Sequence, residues 1–269
     1  AVSSLRSASL RTNSSGTIER HGRSGSLTQM FNGTRFRVLV AMLLVSNAVH
    51  AAPEFVVAQD GSGDFETIQG AIDAMRAFPP QMITITVKQG SYREKLKIHE
   101  WNTRLSLIGE GPENTIISYD DYFDRIDRGR NSTFFTPSMQ VDADDFVAKN
   151  LTVENTAGEV GQAIALAVNA NRAVFRNVRL LGNQDTLYVT GGGNRMLFDD
   201  CYIEGTTDFI FGGASAVFSD CTIHSLKDSY VTAASTPEHA DFGLIFINAR
   251  LTAAPGVDSV FLGRPWRLH

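Results

Sequence analysis

Five stretches of the chain share one pattern of apolar and polar positions. Each has Asn or Asp at its fourth position and an apolar residue at its seventh. The stretches are Val147–Asn155, Val174–Gly182, Leu197–Gly205, Val217–Ser225 and Ile245–Ala253. Their fourth positions follow one another at steps of 27, 23, 20 and 28 residues. A β-rich repeat of this length predicts stacked coils, that is a β-solenoid, and leaves no room for crossover helices.

The chain before these repeats carries shorter apolar patterns. Ile83–Val87 and Leu105–Ile108 are β-rich runs followed by Gly-bearing turns, and they predict two strands. Amphipathic spacing over Thr67–Ala77, ended by Pro79 and Pro80, predicts a short helix that caps the open end of the solenoid. We therefore expect one all-β domain with a short N-terminal capping helix.

Two aspartates occupy equal positions after consecutive repeats. Asp185 lies eight residues after Asn177, and Asp208 lies eight residues after Asp200. Equal offsets on adjacent coils place the two side chains about 4.8 Å apart, which is one strand spacing. Two carboxylates at this separation raise the pKa of one of them, which is typical of an active site. Asp is also a common turn residue, so the spacing alone leaves an ordinary turn open.

Six blocks of sequence surround and extend this pair. They are DGSGDFETIQGAI (60–72), GSYREKL (90–96), GQAIAL (161–166), GNQDTLY (182–188), GTTDFIFGG (205–213) and FLGRPW (261–266). In this order they resemble the signature blocks of pectin methylesterases (pectinesterases), and the resemblance covers about residues 54–269. It implies a right-handed parallel β-helix. It also implies hydrolysis of the methyl esters of galacturonate units in pectin, giving de-esterified pectin and methanol.

The resemblance implies a role for each polar residue of these blocks. Asp208 would be the nucleophile, forming an anhydride with the galacturonate carboxyl group. Asp185 would first give a proton to the departing methanol and then act as base for water. Arg264 would pair with Asp208, while Gln162 and Gln184 would donate hydrogen bonds to the tetrahedral oxyanion.

Aromatic residues close to these positions are expected to bind sugar rings. By the same resemblance, Tyr188, Phe211 and Trp266 line the sugar-binding groove, and Phe134 or Phe135 contributes from a preceding coil. Without the resemblance, each of these side chains could equally be interpreted as part of the hydrophobic core.

The chemistry predicted here uses no metal and no cofactor. The sequence contains no GxSxG or HExxH motif, and its six histidines form no triad-like or ligand-like cluster. The groups available for this chemistry are carboxylates, amides and Arg264.

The N-terminal part of the chain differs in composition from the rest. Residues 1–29 are rich in Ser, Arg and Gly, so we expect a disordered or spurious extension. Residues 30–51 read as a signal peptide, with Arg35 and Arg37 before the apolar run Val38–Val45. A buried helix is the alternative. We therefore expect a secreted protein, in the extracellular space, cell wall or periplasm, whose pectinesterase domain is 52–269.

Charge restricts the partners of this domain. The chain has 24 Lys and Arg against 29 Asp and Glu, and residues 1–51 hold six Arg and one Glu. The remainder therefore has a formal net charge of −10, which argues against nucleic acid as a partner. We expect methyl-esterified homogalacturonan (pectin) as the partner, no membrane in the mature form, and a monomer.

The only two cysteines, Cys201 and Cys221, occupy the fifth position of consecutive repeats. Stacked coils would bring them within the range of a disulfide, and export to an oxidising compartment would permit the bond. We therefore expect a disulfide, with a pair of buried free thiols as the alternative.

Tyr119–Arg130 is a charge-rich insertion between early coils. Its simplest interpretation is a solvated loop. It would otherwise border the substrate groove, since loops on one face of a solenoid commonly form a binding wall.

Two other functions remain open at this point. A β-helix glycoside hydrolase acting on pectin would also use two carboxylates about 5 Å apart. A non-catalytic carbohydrate-binding solenoid would need none of the polar groups together. The resembled family continues beyond the block that contains Trp266, so we also expect the domain to be C-terminally truncated and this chain to have little activity.

Overall fold

The computed structural model describes residues 54–267. Every strand pair in this part of the chain is parallel, as the repeat predicts. The predicted extension (1–29) and signal peptide (30–51) lie outside the described residues.

The helices of the described residues are short. They are α1 (Ile68–Asp73), α2 (Phe123–Ile126) and a 3₁₀ helix (Gly129–Phe135). The strands are β1 (Glu54–Val57), β2 (Ile83–Val87), β3 (Gly90–Tyr92), β4 (Leu96–Ile98), β5 (Leu105–Gly109), β6 (Thr115–Tyr119), β7 (Met139–Val141), β8 (Val147–Asn155), β9 (Leu166–Val168), β10 (Ala173–Leu181), β11 (Leu187–Val189), β12 (Arg195–Asp199), β13 (Tyr202–Gly205), β14 (Ile210–Gly212), β15 (Ser215–Ser219), β16 (Thr222–Ser225), β17 (Tyr230–Ala234), β18 (Leu244–Ile247), β19 (Arg250–Ala253) and β20 (Phe261–Pro265).

The coils stack their strands on three faces. The first face is the ladder β1-β2-β5-β8-β10-β12-β15-β18. The second runs through β3, β6, the second halves of β8 and β10, and then β13, β16 and β19. The third is a separate sheet in the order β4-β7-β9-β11-β14-β17-β20. The architecture is the predicted right-handed parallel β-helix.

The fourth position of each repeat makes the bend between the first two faces. All five residues have a left-handed backbone, with φ between 51° and 56°. Asn and Asp tolerate this conformation better than other residues with a side chain, which explains why the repeat requires them. In the stacked coils Asn177 Nδ2 also donates to Asn150 Oδ1 at 2.8 Å. The bend is therefore fixed both by the backbone and by contacts between coils.

The interior contains a ladder of phenylalanines from the second position of four repeats. Phe175, Phe198, Phe218 and Phe246 occupy one register on the first face. The ring centroids of successive members lie 4.7, 4.9 and 4.9 Å apart, and the first three side chains are fully buried. Each ring packs on the rings above and below it, so this ladder links the coils that carry the site.

The predicted N-terminal helix is present but is shorter than expected. It begins after Thr67, whose side chain accepts a hydrogen bond from Gly70 N, and it ends at Asp73 instead of Ala77. The Glu94 carboxylate accepts hydrogen bonds from the free N–H groups of Ile68 and Gln69. Tertiary contacts thus fix where the helix begins, and its side chains Ile68, Ala71 and Ile72 are buried against the first coils.

The predicted disulfide is wrong, because Cys201 and Cys221 are free, buried thiols. Their coils stack in register, and the usual strand spacing of about 4.8 Å is wider than the Cβ–Cβ separation of about 3.8 Å in a disulfide. Cys201 Sγ instead lies 3.4 Å from Phe175 O, and Cys221 Sγ lies 3.4 Å from Phe198 O. The neighbouring Cys221 thiol and burial raise the pKa of Cys201 above its usual value.

Apolar side chains of the last described strands are about half exposed; they are Ile247, Leu251, Phe261 and Leu262. No helix within residues 54–267 is long and apolar enough to cross a lipid bilayer.

Candidate active site

The two predicted aspartates lie at the same position of consecutive coils on the third face. Leu187 of β11 pairs with Ile210 of β14, so Asp185 and Asp208, each two residues earlier, are neighbours. Both have a left-handed backbone, with φ of 66° and 50°. This bend directs both carboxylates into one pocket at the start of the strands.

Close stacking of these two coils depends on Gly205. A Cβ atom at this position would lie 2.5 Å from Asn183 O and 2.2 Å from the Cβ atom of Phe209. A larger residue would therefore separate the coil of Asp208 from the coil of Asp185.

Asp208 is held by an arginine of the following coil. Arg264 Nε donates to one carboxylate oxygen at 2.9 Å, and Arg264 Nη2 donates to the other at 2.5 Å. Asp208 is 8% exposed, and Arg264 also stacks over the Tyr230 ring at 4.9 Å. This two-pronged contact fixes the plane of the carboxylate and compensates its charge, which the ammonium of Lys would do less well.

Asp185 has a different environment. It is 9% exposed, and no side chain within the described residues donates a hydrogen bond to it. Burial raises its pKa to about 7, the charge of Asp208 adds to this effect, and the charge of Arg264 opposes it. The two carboxylates therefore differ in charge. Arg264 compensates the negative charge of Asp208, whereas Asp185 retains a proton up to about neutral pH.

Gln162 and Gln184 line the same pocket. Their backbones form an isolated parallel bridge, so the two side chains also lie on adjacent coils. Both are half-buried, and within the described residues neither amide group makes a side-chain hydrogen bond. Their N–H groups are therefore available to a ligand in the pocket.

The four predicted aromatic residues form one cluster beside the carboxylates. Tyr188 and Phe211 stack with their centroids 4.7 Å apart, and Trp266 meets the edge of Phe211 at 5.5 Å. Phe134 completes the cluster at 5.2 Å from Tyr188. The alternative residue, Phe135, is instead exposed and lies under Arg128.

One wall of the pocket comes from the insertion. Phe123 of α2 and Arg130 of the 3₁₀ helix line the pocket, together with Thr133 just after the insertion. Of the two interpretations of the insertion, the structure therefore supports the groove wall. The sequence did not identify these lining residues individually, because no repeat or spacing links them to Asp185 or Asp208.

The arrangement combines the groups that acyl transfer needs. Asp208 is an oriented carboxylate, Asp185 is a buried proton carrier, and two amides lie beside them. Within residues 54–267, no three His, Cys, Asp or Glu side chains are grouped so as to hold a metal ion. The fold and site thus define a parallel β-helix protein with an aspartate pair suited to ester hydrolysis.

Comparison with known proteins assigns the chain to a family. The model of the pectinesterase family matches residues 54–269, so the chain belongs to the pectinesterase family. Pectinesterase 31 of Arabidopsis thaliana is 36% identical over 218 residues, which cover 78% of this chain and 68% of that protein. The probable pectinesterase/pectinesterase inhibitor 23 of the same plant is 37% identical over 225 residues.

Solved structures agree with this assignment. Pectin methylesterase from carrot superposes with a TM-score of 0.74 at 32% identity, covering 80% of this chain and 70% of the carrot chain. A pectin methylesterase in complex with hexasaccharide VII gives a TM-score of 0.71 at 32% identity, covering 80% and 71%. The match to the probable pectinesterase/pectinesterase inhibitor 23 covers 79% of this chain but only 39% of that protein.

Proposed function

We propose that this protein removes methyl esters from the galacturonate units of pectin and releases methanol. One observation carries the proposal: Asp208, oriented by Arg264, lies beside the buried Asp185 in a pocket with two free amide groups. Family membership and a relative solved with a hexasaccharide support a pectic substrate.

The first step in this proposal forms a covalent intermediate. Asp208 attacks the carbonyl carbon of the methyl ester, and a tetrahedral oxyanion forms. The bond to the methoxy oxygen then breaks, and this oxygen takes the proton of Asp185 and leaves as methanol. An anhydride now joins Asp208 to the galacturonate, and Asp185 is ionised.

The second step restores the enzyme. Ionised Asp185 takes a proton from a water molecule, and the hydroxide attacks the galacturonate carbonyl carbon. The bond to Asp208 breaks, so Asp208 is again a carboxylate and Asp185 again carries a proton. The new galacturonic acid group loses its own proton to solvent.

In both steps Gln162 and Gln184 stabilise the negative charge that develops on the carbonyl oxygen. Removal of one such donor costs about 10²–10³ in rate in other enzymes. The aromatic cluster of Phe134, Tyr188, Phe211 and Trp266 holds the neighbouring sugar rings by stacking.

An experiment with one matched control tests the proposal. Asp208→Asn keeps the shape of the side chain but removes the nucleophile, so methanol release from methylated pectin should fall at least about 10³-fold. Asp200→Asn is the control, because Asp200 has the same left-handed backbone but is exposed outside the pocket. Near-normal methanol release by the Asp208 variant, expressed with the native ends of the protein, would refute the nucleophile assignment.

We also infer that the protein is exported, from the apolar run and basic start of residues 30–51. Mass spectrometry of the protein secreted by its own cells should find a mature N-terminus close to Ala51. A mature protein that retains Val38–Val45 would contradict this.

A further inference from the structure

The insertion that walls the pocket is fixed to the body of the β-helix. Arg93 pairs with Asp120 at 2.7 Å, and Lys95 Nζ pairs with Asp121 at 2.6 Å and also donates to Phe135 O at 2.7 Å. These contacts, made by residues of the early coils, hold both ends of the segment that carries the 3₁₀ helix.

A second set of contacts comprises one backbone hydrogen bond to the coil of Gln162 and one hydrogen bond within the wall itself. Phe123 N donates to Gln162 O at 2.9 Å, and Arg128 N donates to Ser132 Oγ at 2.8 Å. One backbone hydrogen bond therefore places the wall relative to the coil of Gln162, and Arg130 lines the pocket with an exposed side chain.

Arg130 differs from the other cations around the groove. Arg264 is bound to Asp208, Lys97 is paired with Asp142, and Arg267 lies over the ring of Trp266 at 4.6 Å. Within residues 54–267, Arg130 makes neither an ion pair nor a side-chain hydrogen bond. Its guanidinium group is the cation that remains available to a ligand in the pocket.

The charges in the pocket favour an anion near Arg130. Arg264 compensates Asp208, and Asp185 retains its proton up to a pKa of about 7. The positive charge of Arg130 is then uncompensated, on a protein whose formal net charge is −5. A local cation in a cleft attracts an anionic ligand despite the opposite overall charge.

We propose that Arg130 is a specificity-determining residue that binds the free carboxylate of a galacturonate unit next to the ester being cleaved. The planar fork of arginine matches a carboxylate, whereas a methyl ester offers it no charge. Each turnover of the proposed reaction creates one such carboxylate, so Arg130 directs the enzyme toward esters beside units that are already de-esterified. This inference rests on the proposed function.

Arg130→Gln tests this role, and Arg128→Gln is its matched control. Arg128 belongs to the same insertion, but its guanidinium group lies over the exposed ring of Phe135 at 4.6 Å, away from the pocket. The probes are fully de-esterified oligogalacturonate as an inhibitor, and pectins of high and low methyl content as substrates.

We expect Arg130→Gln to raise the inhibition constant of oligogalacturonate about 3- to 10-fold. Its kcat/KM should fall more on pectin of low methyl content than on highly methylated pectin. Arg130→Lys should retain part of the preference, and Arg130→Glu should lose more of it than Arg130→Gln. The difference from the unmodified enzyme should shrink at high salt, because the contact is an exposed ion pair.

Equal inhibition constants for the unmodified enzyme and Arg130→Gln, or an equal change in Arg128→Gln, would overturn the proposal. Thermal melting of each variant establishes that it is folded. Direct binding of oligogalacturonate, measured by calorimetry, distinguishes a failure of the role of Arg130 from a failure of the proposed function. Absence of methanol release by the unmodified enzyme would refute the proposed function, whereas unaltered binding by Arg130→Gln would refute only the role of Arg130.

Discussion

At the scale of single residues, the site depends on two aspartates with the same backbone and different surroundings. Both lie in the left-handed region at the start of a strand on the third face. Asp208 receives two hydrogen bonds from Arg264, whereas Asp185 is buried with no compensating cation of its own. In the proposed reaction, this difference assigns the role of nucleophile to Asp208 and the role of proton carrier to Asp185.

The first prediction concerns the pH dependence of the reaction. In the proposed reaction Asp185 must carry a proton when methanol leaves, and its pKa is raised to about 7. We therefore expect kcat/KM for methylated pectin to fall as the pH rises through about 7. Initial rates of methanol release between about pH 5 and about pH 9, corrected for spontaneous hydrolysis, measure this. A rate that does not fall across this range would contradict the acid role.

The second prediction concerns stability. The folded-state pKa of Asp185 is raised from 3.8 to about 7, so its contribution to stability is fully present below about pH 4 and is lost as the pH rises through about 7. Asn cannot ionise, so Asp185→Asn removes this loss of stability at high pH. At about pH 8 it should raise the free energy of unfolding by about 1–4 kcal/mol relative to the unmodified protein.

Urea unfolding of both proteins at about pH 4 and about pH 8 measures the effect. The gap between them should close at the lower pH. A difference in stability between the two proteins that is the same at both pH values would show that ionisation of Asp185 does not destabilise the fold.

At the scale of elements, each repeat contains one residue with a left-handed backbone conformation at its fourth position. This residue bends the chain between the first two faces, and Asn177 also bonds to Asn150 in the coil before it. Because only Asn, Asp and Gly accept this backbone easily, the repeat is visible in the sequence.

Two substitutions at Asn177 separate the backbone effect from the hydrogen bond. Asn177→Ala loses both and should destabilise the protein by about 2 kcal/mol. Asn177→Gly loses the hydrogen bond but keeps the left-handed backbone, so it should be the less destabilised of the two. Chemical denaturation of both variants measures the difference, and a glycine variant that is less stable than the alanine variant would contradict this explanation.

The sequence predicts the strands and the aspartate pair because both follow from the spacing of the repeat. Ile83–Val87 is a strand with the predicted bounds, and Asp185 and Asp208 are neighbours in register. The disulfide was predicted wrongly, since Cys201 and Cys221 are free, buried thiols although their coils stack in register. The wall that contains Arg130 depends on ion pairs between distant residues, and no local pattern indicates those.

At the scale of the whole molecule, the coils share one interior. Phe198 lies between Phe175 and Phe218 in the stacked ladder, and all three are fully buried. In a solenoid each coil contacts only its neighbours, so such a ladder couples the coils that carry Asp185 and Asp208 to the rest.

Phe198→Ala should therefore destabilise the domain by about 3–5 kcal/mol, because it leaves a cavity within the ladder. The loss should appear in chemical denaturation as a lower midpoint. Phe242→Ala is the control, since this side chain is 62% exposed and its removal leaves no cavity. Equal effects of the two substitutions would argue against the ladder as a source of stability.

Oxygen-18 labelling shows most directly which bond this protein breaks in pectin. The protein, expressed with its native ends, is given methylated pectin in water enriched in oxygen-18, and methanol, new carboxylates and reducing ends are measured. If the proposed ester hydrolysis is correct, methanol carries no label, each new carboxylate carries one labelled oxygen, and reducing ends do not increase. New reducing ends without methanol would show a glycosidase, and labelled methanol would show that the acyl–oxygen bond is not the bond that breaks.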